Sequence, residues 1–373
     1  MANPGLASRI RGCVLGAALG DAIGAAFEFS TLQALQAQTG KDWIDGLYPY
    51  LGDAGALGLW RGRPPVGAGT DDTRYNWLFL SLAADLGRMP GARDLALRFL
   101  DVYRNPEAYF PGHAQMASQQ FRDWEPACRG YLGEPSTLYP GVPPDVLHSL
   151  AFGNTPLLLG LIVLMCAGIC YPGQPERAYM AAYEADFVDI GYAREAVAVQ
   201  AAGVSLALDG EVTPAEIVQR IAGLDPFHLG PRAEWAHPYV RRRLPALCAR
   251  FTQPRPAPQA AQALAESLLP WGPFDAFKAV AIAFASLCAA QGNALQAILI
   301  AVNHRGLDVC GNPAPDTYQD IDCYGNITGA LAGAFAGAEA FPPGLLQQVV
   351  EANREVYGFD LEATLDRFLA RCL

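Results

Sequence analysis

Small residues crowd three stretches of this 373-residue chain: Gly12, Gly16, Ala17, Gly20 and Gly24; Ala198, Ala201, Ala202 and Gly203; and Gly329, Ala330, Gly333, Ala334 and Gly337. All three lie in segments whose apolar residues recur at the three-to-four spacing of a helix. In water such faces let helices pack with their backbones close together, which suits the centre of a large helical domain. The same periodicity predicts helices over 8–29, 73–87, 93–103, 156–170, 176–208, 213–223, 257–269, 276–290, 294–304, 325–338 and 344–354, and no convincing strand alternation competes with them. Gly40, Pro90-Gly91, Pro172-Gly173, Pro226 and Pro342-Pro343-Gly344 supply stop signals. The expectation is one all-α domain over residues 1–373, with long loops at about 40–69, 104–150, 225–256 and 305–320. Loops of that length in a compact domain commonly build a binding site.

Composition limits what such a domain binds. Hydrophobic residues make up 51% and charged residues 17%, so a large core is available, and the net charge is −11. An acid excess argues against a general nucleic-acid-binding surface, which needs a basic face. It leaves room for a nucleotide-like ligand held through cations, which reverse the local charge. The opening Met1 to Ile10 lacks a basic start followed by an apolar run, so no secretory leader is expected. Leu157 to Ile169, the longest apolar stretch, is too short to span a bilayer. Nine cysteines, mostly inside apolar helical patterns as at Cys13, Cys166 and Cys288, favour reduced thiols and a cytoplasmic location.

Two acidic segments stand out against apolar surroundings. Gly69-Thr70-Asp71-Asp72-Thr73 leads into one predicted helix, and Asp320-Ile321-Asp322-Cys323-Tyr324-Gly325-Asn326 leads into another. One N-cap would account for a single such residue. Adjacent carboxylates exceed that need, and they repel unless a cation or protons separate them. Spacing of two in a non-helical stretch would point Asp320 and Asp322 to one side. Taken singly, each segment reads as a capped helix start; taken together they read as halves of one site for Mg²⁺ or Mn²⁺, which prefer carboxylate and hydroxyl oxygen. Two such ions about 3.5–4 Å apart can activate a water and hold a leaving group. Zinc-protease, phosphate-loop and dinucleotide fingerprints are absent, and the five histidines are dispersed. A terpene-synthase-like carboxylate turn is disfavoured, because Tyr75 stands where a third acid would be needed.

Three segments, in order, resemble the ADP-ribosylglycohydrolase family. They are Arg9 to Phe29, with Gly20-Asp21-Ala22-Ile23-Gly24 and Glu28; Gly69 to Thr73; and Asp320 to Ala334, with Pro342 at a family proline. The resemblance implies a single large orthogonal all-α domain with a central metal-binding cleft holding two Mg²⁺, or Mn²⁺, ions. By position it makes Thr70, Asp71, Asp72, Asp320 and Asp322 metal ligands and places Glu28 beside the metals to position substrate or handle protons. The proton-moving group stays open between Glu28 and Asp322. The implied reaction is hydrolysis at the anomeric carbon of an α-linked ribose, releasing ADP-ribose or a similar sugar from nitrogen or oxygen of an ADP-ribosylated protein or a small ADP-ribosyl or ribosyl molecule. The alternative is a non-catalytic relative that binds ADP-ribose or serves structurally.

The sequence also departs from the family. Cys323 takes the place of a Thr or Ser metal ligand, and a thiol partners Mg²⁺ poorly. The ligand is then lost, replaced by water or a carbonyl, or the site favours Mn²⁺; alternatively Cys323 is a small buried hydrophobe. Residues 305–320 form an insertion before the second acidic segment, expected to overhang the cleft, where His304, Arg305, Asp308 or Asp316 either contacts substrate or is solvated. The family's phosphate-contacting segment is represented only by Gly153 to Leu157, in which Gly153 and Asn154 are candidates to bind substrate through backbone N–H groups. Ile190-Gly191 replaces a Thr-His pair. The metal half is kept and the half that reads the ADP portion is altered, as expected of a divergent member.

Overall fold

The computed structural model describes residues 5–51, 64–229 and 238–373, and these fold almost entirely into helices. The N-terminal part holds α1 (Leu6–Ala25), α2 (Leu32–Thr39), α3 (Asp71–Leu86) and α4 (Ala92–Arg104). The 104–150 stretch, expected as loop, carries four short helices: α5 (Pro106–Tyr109), α6 (Ala114–Arg122), α7 (Trp124–Leu132) and α8 (Pro144–Ser149). Pro106 and Pro144 open α5 and α8 from the first turn, where a missing N–H costs nothing. Next come α9 (Leu159–Leu164), α10 (Pro175–Ala185), α11 (Tyr192–Ala207) and α12 (Pro214–Ala222). They are followed by α13 (Tyr239–Cys248), α14 (Ala257–Ser267), α15 (Ala276–Ala289) and α16 (Ala294–Val302). An antiparallel hairpin, β1 (Arg305–Leu307) and β2 (Pro313–Tyr318), precedes α17 (Ile321–Ala336), α18 (Pro343–Tyr357) and α19 (Leu361–Cys372). Parts of two expected loops, 52–63 and 230–237 (with His237), lie outside the described residues. Among the described residues no helix is long and apolar enough to cross a membrane.

The described part of the 225–256 stretch, expected as loop, carries α13, and three further local expectations are corrected. The helix read over 176–208 breaks between α10 and α11. Asp186 Oδ1 accepts from the N–H groups of Val188 and Asp189 at 3.2 and 3.1 Å, and Gly191 turns the chain at a φ of 56°. The helix read over 156–170 is α9 followed by a single 3-10 turn, Ala167–Cys170. The 305–320 insertion contains strands that its local pattern does not announce, because their partners are distant. Tyr318 N–H donates to Ser30 O at 2.9 Å, Phe29 N–H donates to Gln319 O at 3.3 Å, and Thr31 bridges Thr317.

The small-residue stretches do what their composition implies. α1 and α17 run antiparallel and, among the described residues, form the most extensive helix pair. A Cβ on Gly12, Gly16 or Gly20 would fall on the carbonyl oxygen of Gly333, Gly329 or Gly325, and one on Gly24 would fall on that of Ile321. The reverse is true from Gly325, Gly329 and Gly333, so backbone lies on backbone. α11, α15 and α16 surround α17, and Gly203 of α11 leaves room for the ring of Phe284. This buried helical layer fixes where both acidic segments begin.

Gly20→Ala is expected to lower stability by about 3 kcal/mol in urea denaturation, as overpacking against backbone cannot relax by a side-chain turn. Gly344→Ala, on the exposed first turn of α18 with nothing within 4 Å of the new methyl, should change it by no more than about 1 kcal/mol. Equal stability of the Gly20 variant and the wild type would contradict the seam's role.

Candidate metal centre

The site is built at one end of the α1–α17 seam, where the C-terminal end of α1 meets the start of α17. Asp21, on α1 between Gly20 and Ala22, is fully buried. Its two carboxylate oxygens accept from the N–H of Thr70 at 3.1 and 2.9 Å, and one also accepts from the N–H of Thr73 at 3.0 Å and its hydroxyl at 2.5 Å. N–H groups at a helix start lack partners within the helix, so Asp21 caps α3 from another element. Thr70 completes the cap, its Oγ1 accepting from Asp72 N–H at 3.3 Å. Tyr357 and Asn353 of α18 hold the preceding residue, with Tyr357 Oη donating to Gly69 O at 2.6 Å and Asn353 Oδ1 accepting from Gly69 N–H at 3.2 Å. Asp71 and Asp72 therefore leave a pinned first turn.

Asp320 is the N-cap of α17, and Asp322 sits in its first turn. This corrects the expectation of an extended stretch: one acid occupies the N-cap position, with no capping hydrogen bond from its side chain, and the other is the second residue of the helix. Glu28, partly buried, lies just beyond α1 in the turn where Phe29 adopts a φ of 51°. Gly24, packed on the Ile321 carbonyl, brings that turn to the cap of α17.

Two groups of potential ligand atoms result among the described residues, each with all its atoms within 4.8 Å of one another: Asp72, Asp322 and Cys323, and Glu28, Asp320 and Asp322. Asp322 belongs to both. Burial, reinforced by the neighbouring carboxylates, pushes Glu28, Asp72 and Asp322 well above the usual carboxylate range. Burial raises Asp320 to about 7, and it raises Asp21 to about 6 against its hydrogen bonds. The Cys323 thiol is pushed up by burial and then by the surrounding carboxylates. Both oxygens of Asp72, Oδ2 of Asp320 and Oδ1 of Asp322 are buried with no hydrogen-bond partner. Buried acceptors normally find donors, so this oxygen-rich set fits a divalent cation.

Other candidates fall elsewhere. Asp71 is half-buried and lies outside both groups. Gly153 and Asn154 sit on an exposed turn, both at positive φ, and Leu157 after them bridges Asp275. His304 is fully buried with its ring edge-on to Tyr324, so it is neither solvated nor overhanging. Asp308 is exposed and accepts from the N–H groups of Cys310 and Asn312, which gives it a turn-forming role. Arg305 lies over the Tyr318 ring, 4.0 Å from Asp316. A groove of about 590 Å³ runs between α14 and the hairpin, lined by Trp43, Gln262, Leu269, Arg305 and Pro313, apart from the acids.

Sequence reasoning missed the part played by Asp21, whose signal is a lone carboxylate in the otherwise apolar run from Cys13 to Phe27. It also attached no role to Lys278. That lysine is buried, donates to Trp271 O at 3.0 Å, lies within electrostatic reach of Asp320, and is pulled down to about 7 by burial.

The raised carboxyl pKa values carry a sign. Folded chains hold protons that unfolded chains release, so without a cation stability falls as pH rises, from the ordinary aspartate value of 3.8 to about 7 for Asp320. In chelator, Asp72→Asn should melt above the wild type by a margin that grows with pH and is largest near about pH 8. Added Mg²⁺ or Mn²⁺ should raise the wild-type melting temperature by more than it raises that of the variant, which keeps only the Glu28–Asp320–Asp322 group intact. A margin independent of pH would contradict this account.

The comparisons with known proteins agree with this architecture. One solved structure, described as an ADP-ribosylglycohydrolase-related protein complex, aligns over 99% of this chain and 99% of its own, with a TM-score of 0.60 and 21% identity, which shows a shared fold. No curated protein matches the chain in sequence. The sequence profile of ADP-ribosylglycohydrolase covers residues 2–372. A match of that extent takes in both arms of the α1–α17 seam and both acidic segments, and this all-α chain belongs to the ADP-ribosylglycohydrolase family, a family of glycosyl hydrolases.

Proposed function

We propose that the protein is a divalent-cation-dependent hydrolase of N- or O-ribosyl bonds that releases ADP-ribose from a modified protein or small molecule. The observation that carries the reading is the pair of ligand groups joined through Asp322, with carboxylate oxygens that are buried and unpartnered. Asp72, Asp320 and Asp322 would hold the ions, with Thr70 and Asp71 at the edge of the set. Bound Mg²⁺ or Mn²⁺ would supply charge that orients ribose hydroxyls and acidifies a water. Glu28 is the partly exposed member of its group, and bound cations would offset the like charges around it. Glu28 and Asp322 are the two candidates to move a proton at the leaving atom. Asp322 orders the site by serving both groups. Gly153 and Asn154 are the candidates to meet the substrate through their exposed turn.

The same reading takes residues 1–373 as one domain, since α1 and α17 build a single site from opposite ends of the chain. It places the protein in the cytoplasm, where its nine free cysteines stay reduced.

The test is release of ADP-ribose from arginine- and serine-linked substrates. Turnover should require Mg²⁺ or Mn²⁺, and Asp322→Ala should lower kcat by at least about a hundredfold. Metal and ADP-ribose binding with no turnover on either linkage would instead identify a non-catalytic ADP-ribose-binding relative.

A further inference from the structure

The two ligand groups differ in one atom type. Glu28, Asp320 and Asp322 offer only oxygen, whereas Asp72 and Asp322 share their group with the Sγ of Cys323. Packing alone does not account for this neighbourhood. Asp72 is 1% exposed and Asp322 3%, yet both oxygens of Asp72 and Oδ1 of Asp322 lack a hydrogen-bond partner, and each residue has an oxygen within 4.8 Å of the sulfur. As a neutral thiol Cys323 reaches Asp320 but leaves the oxygens of Asp72 and Oδ1 of Asp322 with no donor, whereas a thiolate ligand would share a cation with them.

Ligand softness then discriminates between ions. Mg²⁺ takes oxygen and gives up its water reluctantly, while sulfur raises affinity for Fe²⁺, Co²⁺ and Zn²⁺. We propose that the centre is asymmetric: the Asp72–Asp322–Cys323 position selects a first-row transition-metal dication through sulfur, and the Glu28–Asp320–Asp322 position takes Mg²⁺. This rests on the metal-centre reading above and specifies the ion class of one position. Ligation breaks the S–H bond and forms an S–metal bond. The proton passes to solvent, and neither sulfur nor metal changes oxidation state.

The experiment uses the full chain, stripped with chelator, kept reduced and titrated with Co²⁺ in excess Mg²⁺. The wild type should retain Co²⁺ and show a near-ultraviolet thiolate-to-cobalt charge-transfer band. Cys323→Ser and Cys323→Thr should lose that band, and their preference for Co²⁺ over Mg²⁺ should fall by about tenfold or more, with Mg²⁺ binding retained. The remaining cysteines are common to all three proteins, so a difference band reports Cys323 alone. Melting curves in chelator check that the near-isosteric serine variant is folded. A wild type that binds Co²⁺ with no band, or variants that keep band and preference, would overturn the sulfur position and leave an all-oxygen centre standing. A wild type that binds no divalent ion by calorimetry would remove both the inference and the reading beneath it.

Discussion

The backbone contact of α1 on α17 is the constraint from which the rest of the structure follows. Helices that carry ordinary side chains at their interface stay about 8–10 Å apart. Where Gly12, Gly16 and Gly20 meet Gly333, Gly329 and Gly325, no Cβ separates them, and carbonyl oxygens occupy the space. Such a seam fixes register as well as distance, since a one-residue slip would set a Cβ against a carbonyl. Register is what the site needs. Gly24 rests on Ile321, between Asp320 and Asp322, with Asp21 one turn back along α1 and Glu28 in the turn just beyond it. Acids from opposite ends of the chain are gathered by contacts that admit one alignment.

Gathering them is unfavourable until something neutral or positive intervenes, and two aspartates show how the fold distinguishes structure from chemistry. Asp21 and Asp72 are both buried. Asp21 has its charge met by the N–H groups of Thr70 and Thr73 and by a hydroxyl, so it secures the start of α3. Asp72 leaves that start with neither oxygen partnered. The difference is not residue type or depth but the presence of donors, and only the second kind of acid is available to a cation. Asp320 and Asp322 have the same character at the other helix start, each with an oxygen that lacks a donor. A stability deficit in the empty site is thus the physical counterpart of affinity in the filled one.

Much of this is legible in the sequence, for reasons that can be named. Helix periodicity survives where helices are long and packed on one or more faces, as in α1, α3, α15 and α17. The glycines are legible because nothing else explains so many small residues in one helix, and the acid pairs because they sit in apolar surroundings. What was not legible depends on partners distant in sequence. The break at 186–191 follows from Asp186 diverting two N–H groups to its side chain, a local event that hydropathy does not register. The hairpin at 305–318 exists because Ser30 and Thr31 lie alongside it. Asp21 reads as one polar residue in a buried helix until Thr70 and Thr73 are beside it. Glu28 was named from its place in a motif, and its turn past the end of α1 could not be read from a periodicity running to residue 29.

The same contrast bears on where substrate identity resides. A change in the seam alters backbone contacts that nothing can absorb, so the acid-bearing helix ends are held to one geometry. Two segments that depart from the family pattern are linked to Asp275: Leu157 bridges it, and the hydroxyl of Tyr192, just after Ile190-Gly191, donates to it at 2.6 Å. Replacing Gly153–Leu157 or Ile190-Gly191 would rearrange those links without moving α1 against α17, because neither segment belongs to that interface. Loops on a rigid scaffold carry recognition for this reason. A chain of this kind can keep its acid-bearing helix ends while altering the segments expected to read the ADP portion, because the two are packed independently.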